Sequence, residues 1–233
     1  MYILYKKELQ YYLNNAIGYI IIILFAVFAN FLFVKDLFVV GTASMRTFFS
    51  FLPWLFLVFI PALSMRSLSE EKRTNTIETL LTLPVSETQV VLSKYFALLT
   101  ITALGLLLTV SLPVSLSFLS GLYIPETIVG YLGSLFMGAS FIAISMFFSS
   151  QTKNQVIAFL ASVIALFLIT VLATDFMATV LPKTFLDYLI LFSPIYHLEN
   201  FIKGVIDIRS VFYFLGLIAI FLFLTITDLE KRS

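Results

Sequence analysis

Residues able to do chemistry are few in this 233-residue chain, and most of them crowd into one stretch. Met65-Arg66-Ser67-Leu68-Ser69-Glu70-Glu71-Lys72-Arg73 runs into Thr74-Asn75-Thr76-Ile77-Glu78-Thr79-Leu80-Leu81-Thr82-Leu83-Pro84-Val85-Ser86. Asn75 stands where a side chain can cap a helix start, and Glu78, three positions on, stands where a capping-box acid reaches back. Ile77, Leu80 and Leu81 fall at i, i+3 and i+4 and make one apolar face. Pro84 ends the element, because the residue before a proline is pushed out of the helical region. A two-turn helix is not stable alone in water, so it must lie against something. Two readings fit. One is a solvated loop whose leucines touch lipid. The other is a docking helix, with Glu78 among its docking residues, that seats its apolar face of Ile77, Leu80 and Leu81 in a groove on a soluble partner, while Glu70, Glu71, Lys72 and Arg73 fix its orientation.

Other chemistry is missing. No Gly-x-x-x-x-Gly-Lys-Ser/Thr loop is present to cradle a phosphate. There is no cysteine and a single histidine, His197, so neither a thiolate nor a zinc spacing exists. His197, at the edge of an apolar run, reads as structural. No Ser/His/Asp set is evident, so no catalytic residue, cofactor or metal is expected in this chain. Ionisable residues are also scarce inside the apolar runs, with Glu126, Asp175 and Asp228 at their ends. Carriers coupled to an ion gradient keep a charge at mid-membrane. Its absence argues against a gradient-driven carrier or channel and implies that energy enters from outside the bilayer.

The elements that must position this stretch are membrane helices. Of the residues, 61% are hydrophobic and only 12% charged, and the mean hydropathy is +1.06. That excludes an ordinary soluble domain. A net charge of +1 suggests no nucleic-acid partner. The expected fold class is an all-α membrane protein, one domain over residues 1–233 with six transmembrane helices. The spans are placed at about 16–34, 47–65, 90–120, 127–149, 155–173 and 211–227, from the roughly 20 residues a bilayer crossing needs. Residues 35–46 read as a short loop, and Pro113 should bend the long third run. Its first part, through Lys94 and Tyr95, suits the interface. Gly130, Ser134 and Gly138 make a small-residue stripe that lets another helix approach closely.

Residues 1–15 interleave Ile3, Leu4, Leu9 and Leu13 with Tyr2, Tyr5, Tyr11, Tyr12, Lys6 and Lys7, as in a helix lying at the membrane surface. A cleavable signal peptide is the rival reading, disfavoured by the lack of a small-x-small site. The mixed stretch 174–210 reads as one or two helices that dip into the outer leaflet and return. Six spans put both termini on one side. Lys6, Lys7, Arg66, Lys72, Arg73, Lys94, Lys153, Lys231 and Arg232 fall on that side, against Lys35, Arg46, Lys183, Lys203 and Arg209 on the other. The positive-inside rule then makes the termini and the charged stretch cytoplasmic.

Glu70 to Ser86, followed by Val91-Leu92-Ser93-Lys94-Tyr95, resembles the segment E-(K/R)-x-x-G-T-x-E-x-L-L-x-x-P-(V/L)-S … V-L-G-K of ABC-2 type transporter permeases. Ser193-Pro194-Ile195-Tyr196-His197, with Phe201 to Asp207 and the charged tail, is similar to the gliding-motility/NosY-like branch. Asn75 stands where the family often has glycine, a mild departure because asparagine tolerates left-handed turns. Ser93 also replaces a common glycine. The resemblance implies the permease subunit of an ATP-binding cassette transporter in the bacterial inner membrane, exporting a substrate. It would pair with a second permease copy or homologue and with two cytoplasmic ABC ATPase subunits that hold the ATP and magnesium. About Asn75 to Leu83 would be the cytoplasmic coupling helix, with Ile3 to Asn14 near the ATPase and outward re-entrant helices between spans five and six. Some relatives instead pass ATP-driven motion to an extracytoplasmic partner, with no substrate crossing the bilayer, and that alternative stays open.

Overall fold

A computed structural model describes residues 1–40, 44–76, 85–119, 122–172 and 189–231. The described residues form helices and no strand: α1 (Tyr2–Asn14), α2 (Ala16–Val40), α3 (Met45–Ser64), α4 (Ser69–Arg73), α5 (Glu87–Leu108), α6 (Ser111–Leu119), α7 (Ile124–Gln151), α8 (Gln155–Val171), α9 (Pro194–Ile202) and α10 (Ile208–Glu230). Five helical runs are long and apolar enough to cross a membrane, and α8 is a shorter apolar helix. The expected all-α membrane fold is therefore observed.

Polar side chains start several of these helices where the chain leaves apolar sequence. The hydroxyl of Ser44 accepts from Arg46 N ahead of α3. Ser86 accepts from Gln89 N ahead of α5, Asn154 from Val156 N ahead of α8, and Asp207 from Arg209 N ahead of α10. Each satisfies one amide that has no partner inside its helix.

α7 is the hub. Its apolar stretch is 67% buried, against 22% for those of α2 and α10. It packs on α3, α5, α8, α9 and α10. The small-residue stripe explains how it does so. Gly130, Ser134 and Gly138 are all buried in α7. A Cβ on Gly130 would lie 2.2 Å from Phe49 Cε2 of α3, and one on Gly138 would lie 3.3 Å from Thr102 Cγ2 of α5. Without side chains there, two neighbours reach the α7 backbone, which is how helices gain contact in lipid. Aromatic rings fill the remaining space. Phe25 stacks on Phe56 at 5.5 Å, and Tyr131 meets Phe49 edge-on at 5.2 Å.

Several expected boundaries move. Residues 35–40 belong to α2 rather than to a loop, since Lys35 and Asp36 are only a brief polar interruption in helix-compatible sequence. The long third run breaks at Thr109–Val110, so Pro113 sits in the first turn of α6, where its missing amide costs nothing. Lys94 and Tyr95 lie in continuous α5 and are buried against other helices of the chain. Asp228 and Glu230, read as tail, are helical. Of the mixed stretch 174–210, residues up to 188 lie outside the described residues. The described α9 has Phe201 pressed against Gly133 of α7.

α8 is tied to the bundle near both of its ends. At one end, Arg66 Nε donates to Gln155 Oε1 at 3.0 Å. At the other, Ser193 Oγ donates to the Thr170 carbonyl at 3.3 Å. Among the described residues there are thus five long apolar runs and one shorter apolar helix, and α1 and α10 meet at the same end of the bundle, joined through α4 and α5.

Candidate functional site

That shared end is built around two buried lysines. Lys94, in the second turn of α5, is 4% exposed, and its Nζ contacts Glu71 Oε1 at 2.7 Å and Glu8 Oε1 at 3.0 Å. One cation thus joins α4, α5 and α1. Lys72, the residue after Glu71, is 2% exposed and contacts Asp228 Oδ2 of α10 at 2.8 Å. The same ammonium donates to the Ser150 carbonyl in the last turn of α7. That carbonyl lacks a partner inside its helix and lies at the negative end of the helix dipole, so a cation suits it. Adjacent residues of a five-residue helix are therefore wired to both the first and the last helix.

The backbone around α4 is held as firmly. Ser149 Oγ of α7 accepts from the amides of Leu68 and Ser69 at 3.2 and 3.1 Å. It also donates to the Met65 carbonyl at 2.9 Å. One hydroxyl thus satisfies the groups freed where α3 ends and α4 starts. α1 is held by more than Glu8. Tyr5 and Thr100 hydroxyls meet at 2.9 Å, and Tyr12 donates to the Leu63 carbonyl at 3.4 Å. Burial, with Glu8 nearby, pushes the Tyr12 phenol well above its ordinary value, so it stays protonated and able to donate. The turn from α1 into α2 needs glycine at position 18, where a Cβ would lie 2.0 Å from the Tyr12 carbonyl oxygen.

The outward side of α4 differs. Arg73 Nη2 and Glu70 Oε1 pair at 2.6 Å one turn apart, with the guanidinium side chain 61% exposed. Asn75 follows with φ +56°. It does not take the extended conformation of a capping residue. It makes a left-handed turn, which asparagine permits at lower cost than most residues, and that accounts for asparagine in a position suited to glycine. The amides that Asn75 would cap, at 77 and 78, lie outside the described residues.

The opposite end of the bundle carries its own polar contacts. Arg46 grips Glu126 with two hydrogen bonds of 2.7 and 3.0 Å. His197 Nε2 contacts the Leu191 carbonyl at 2.9 Å, and Nδ1 contacts Ser210 Oγ at 3.2 Å. Its ring stacks on Tyr213 at 4.0 Å. With Nε2 donating, Ser210 donates to Nδ1 and receives Asn200 Nδ2 at 3.1 Å. Burial holds the imidazole below its ordinary pKa, outweighing the Leu191 carbonyl and Asp207. His197 thus fastens α9 to α10. Among the described residues no cluster of three metal-ligating side chains occurs.

Residues 3–228 match the model of the ABC-2 family transporter protein family. The chain belongs to the ABC-2 family. No curated protein matches it significantly. As an ABC-2 protein it is the membrane subunit of an ABC transporter, integral to the membrane and of a kind that associates with ABC ATPases, generally without catalysing a reaction itself.

Against this family background the expected docking residues divide. Glu70 and Arg73 remain at the surface, whereas Glu71 and Lys72 turn inward and hold the body of the permease. Ile77, Glu78, Leu80 and Leu81 lie outside the described residues. Sequence reasoning puts Lys94 on this side of the membrane but does not pair it with Glu8 or Glu71, and it does not single out Ser149 or Ser150. Their partners lie far away in sequence, and a charge in an apolar run marks a pairing without saying with what. Ser86-Glu87-Thr88-Gln89 did carry a legible signal, the Ser-x-x-Gln pattern of a helix start.

Proposed function

We propose that this ABC-2 permease couples ATP hydrolysis by a separate cytoplasmic ATPase to export across the inner membrane. It would do so as one of two permeases over two ATPase subunits. The termini and α4 face the cytoplasm in this reading, as the distribution of lysine and arginine favours. Ile77, Glu78, Leu80 and Leu81, directly after α4, form the docking face, with Glu70 and Arg73 steering the approach.

The observation that carries the reading is the wiring of α4. A push on the segment after Arg73 reaches Glu71 and Lys72 first, and these residues are bonded to α5, α7 and α10 and, through Lys94, to α1. Buried charge pairs resist separation, because breaking one leaves an uncompensated ion away from water. Motion at the docking face would therefore move helices as a set rather than bend a loop. ATP-driven closure of the partner dimer would then shift the two permeases against each other.

Replacing Leu80 and Leu81 by Asp tests this. The double variant should reach the membrane and fold, yet fail to copurify with its ATPase or stimulate hydrolysis. Undiminished copurification and stimulation would refute docking through this face.

A further inference from the structure

Beside α4, a cleft of about 510 Å³ opens between the end of α3 and the turn from α7 into α8. Its walls include Arg66, Arg73 and Lys153, with Thr152, Asn154 and Gln155 between them. All three charges in the wall are positive. Arg73 is offset by Glu70. Arg66 spends Nε on the neutral Gln155 amide. Among the described residues, neither Arg66 nor Lys153 has a carboxylate partner, so the cleft carries excess positive charge. The first turn of α8, which lines it, adds the positive end of a 17-residue helix.

An apolar track leads out of the same cleft. Val156 is part of its wall, and Val156, Leu160 and Ile164 are 62%, 51% and 58% exposed. Their spacing of four puts them on one face of α8. A ligand that fits both features bears an anionic head and long apolar chains. We infer that the cleft binds the phosphate of an anionic phospholipid whose acyl chains lie along the Val156–Ile164 face. Arginine supplies paired donors to phosphate oxygens and lysine a point charge. Basic pockets between membrane helices at the cytoplasmic surface bind anionic headgroups in this way. The inference rests on the orientation given under Proposed function, which sets the cleft at the inner leaflet. A lipid bound there would brace α4 against α8 beside the docking segment.

Native mass spectrometry of the full chain purified in detergent measures this directly, with phosphatidylglycerol, phosphatidylcholine and inorganic phosphate titrated separately. Wild type should take up phosphatidylglycerol in preference to phosphatidylcholine. Lys153→Gln, a change at an exposed turn, should weaken that uptake roughly fivefold, and R66Q/K153Q should weaken it further. If Arg66→Gln disturbs folding by losing Gln155, the single Lys153→Gln variant still decides the matter. Equal uptake by wild type and Lys153→Gln would overturn the site. Inorganic phosphate binding as tightly as the lipid would overturn the lipid as its source. Release of the lipid when ATPase is added would assign the cleft to the partner protein instead and overturn the inference. Lys153→Cys, in a chain without other cysteines, reports orientation separately. Labelling from outside the cell, with wild type still selecting phosphatidylglycerol, would refute the orientation and not the site.

Discussion

Lys94→Met leaves Glu8 and Glu71 facing each other across an apolar side chain. Both carboxylates touch the same nitrogen, at 3.0 and 2.7 Å. Their nearest oxygens therefore lie within about 6 Å, and at an effective dielectric of about 20 their mutual repulsion is about 3 kcal/mol. Removing one member of a buried charge cluster costs about 3–5 kcal/mol overall, because it also strands the partners. For a chain of this size that corresponds to a fall in Tm of roughly 6–20 °C. Glu8→Gln is the opposing test. Glu8, Glu71 and Lys94 together carry one excess negative charge, and Glu71 Oε2 is buried with no partner among the described residues. Neutralising Glu8 balances the cluster and keeps a side chain able to fill the space, so its cost should stay below about 1 kcal/mol. Added to Lys94→Met, it should recover part of the lost stability. Thermal unfolding in detergent, followed by intrinsic fluorescence, measures all three variants. A Lys94→Met protein that unfolds within about 2 °C of wild type would refute the reasoning.

Further outcomes follow from the same geometry. Gly130→Ala drives a methyl into fully buried Phe49 and should cost about 1–3 kcal/mol. Gly216→Ala, with nothing within 4 Å of the added carbon, should be neutral or stabilise by about 0.5–1 kcal/mol, and the two melting curves check the contrast. His197 is held neutral by burial, so its contribution to stability is present above the unfolded value of about 6.5 and is lost as pH falls through the depressed folded value. Melting temperature should drop on acidification in wild type, and His197→Gln should flatten that drop.

Much of the bundle was legible because bilayer length and hydropathy constrain it strongly. Spans two, four, five and six fall where apolar runs of sufficient length stand between polar turns, and Pro113 marks the break in the third. The small-residue stripe of α7 was visible as spacing, though not that its neighbours would be Phe49 and Thr102 of the same chain. α2 outran its expected end because a lysine and an aspartate do not stop a helix that apolar residues resume. The charged stretch stands out in the sequence as the centre of interest, but from sequence its charges form one outward set. Inward and outward sides of a five-residue helix cannot be separated without knowing what stands behind it. Glu8, Lys94 and Asp228 supply that background from 63, 23 and 156 or so positions away, and no local pattern pairs them.

Arg73→Cys is the most direct test of whether this end of the permease meets the ATPase. Arg73 is exposed beside the proposed docking segment, and the chain has no cysteine of its own to compete. In the reconstituted complex a short bifunctional maleimide should cross-link position 73 to the ATPase, with a yield that changes between nucleotide-free and ATP-bound states. Labelling of that cysteine from outside intact cells, or the absence of any cross-link to an ATPase that still copurifies, would contradict the account.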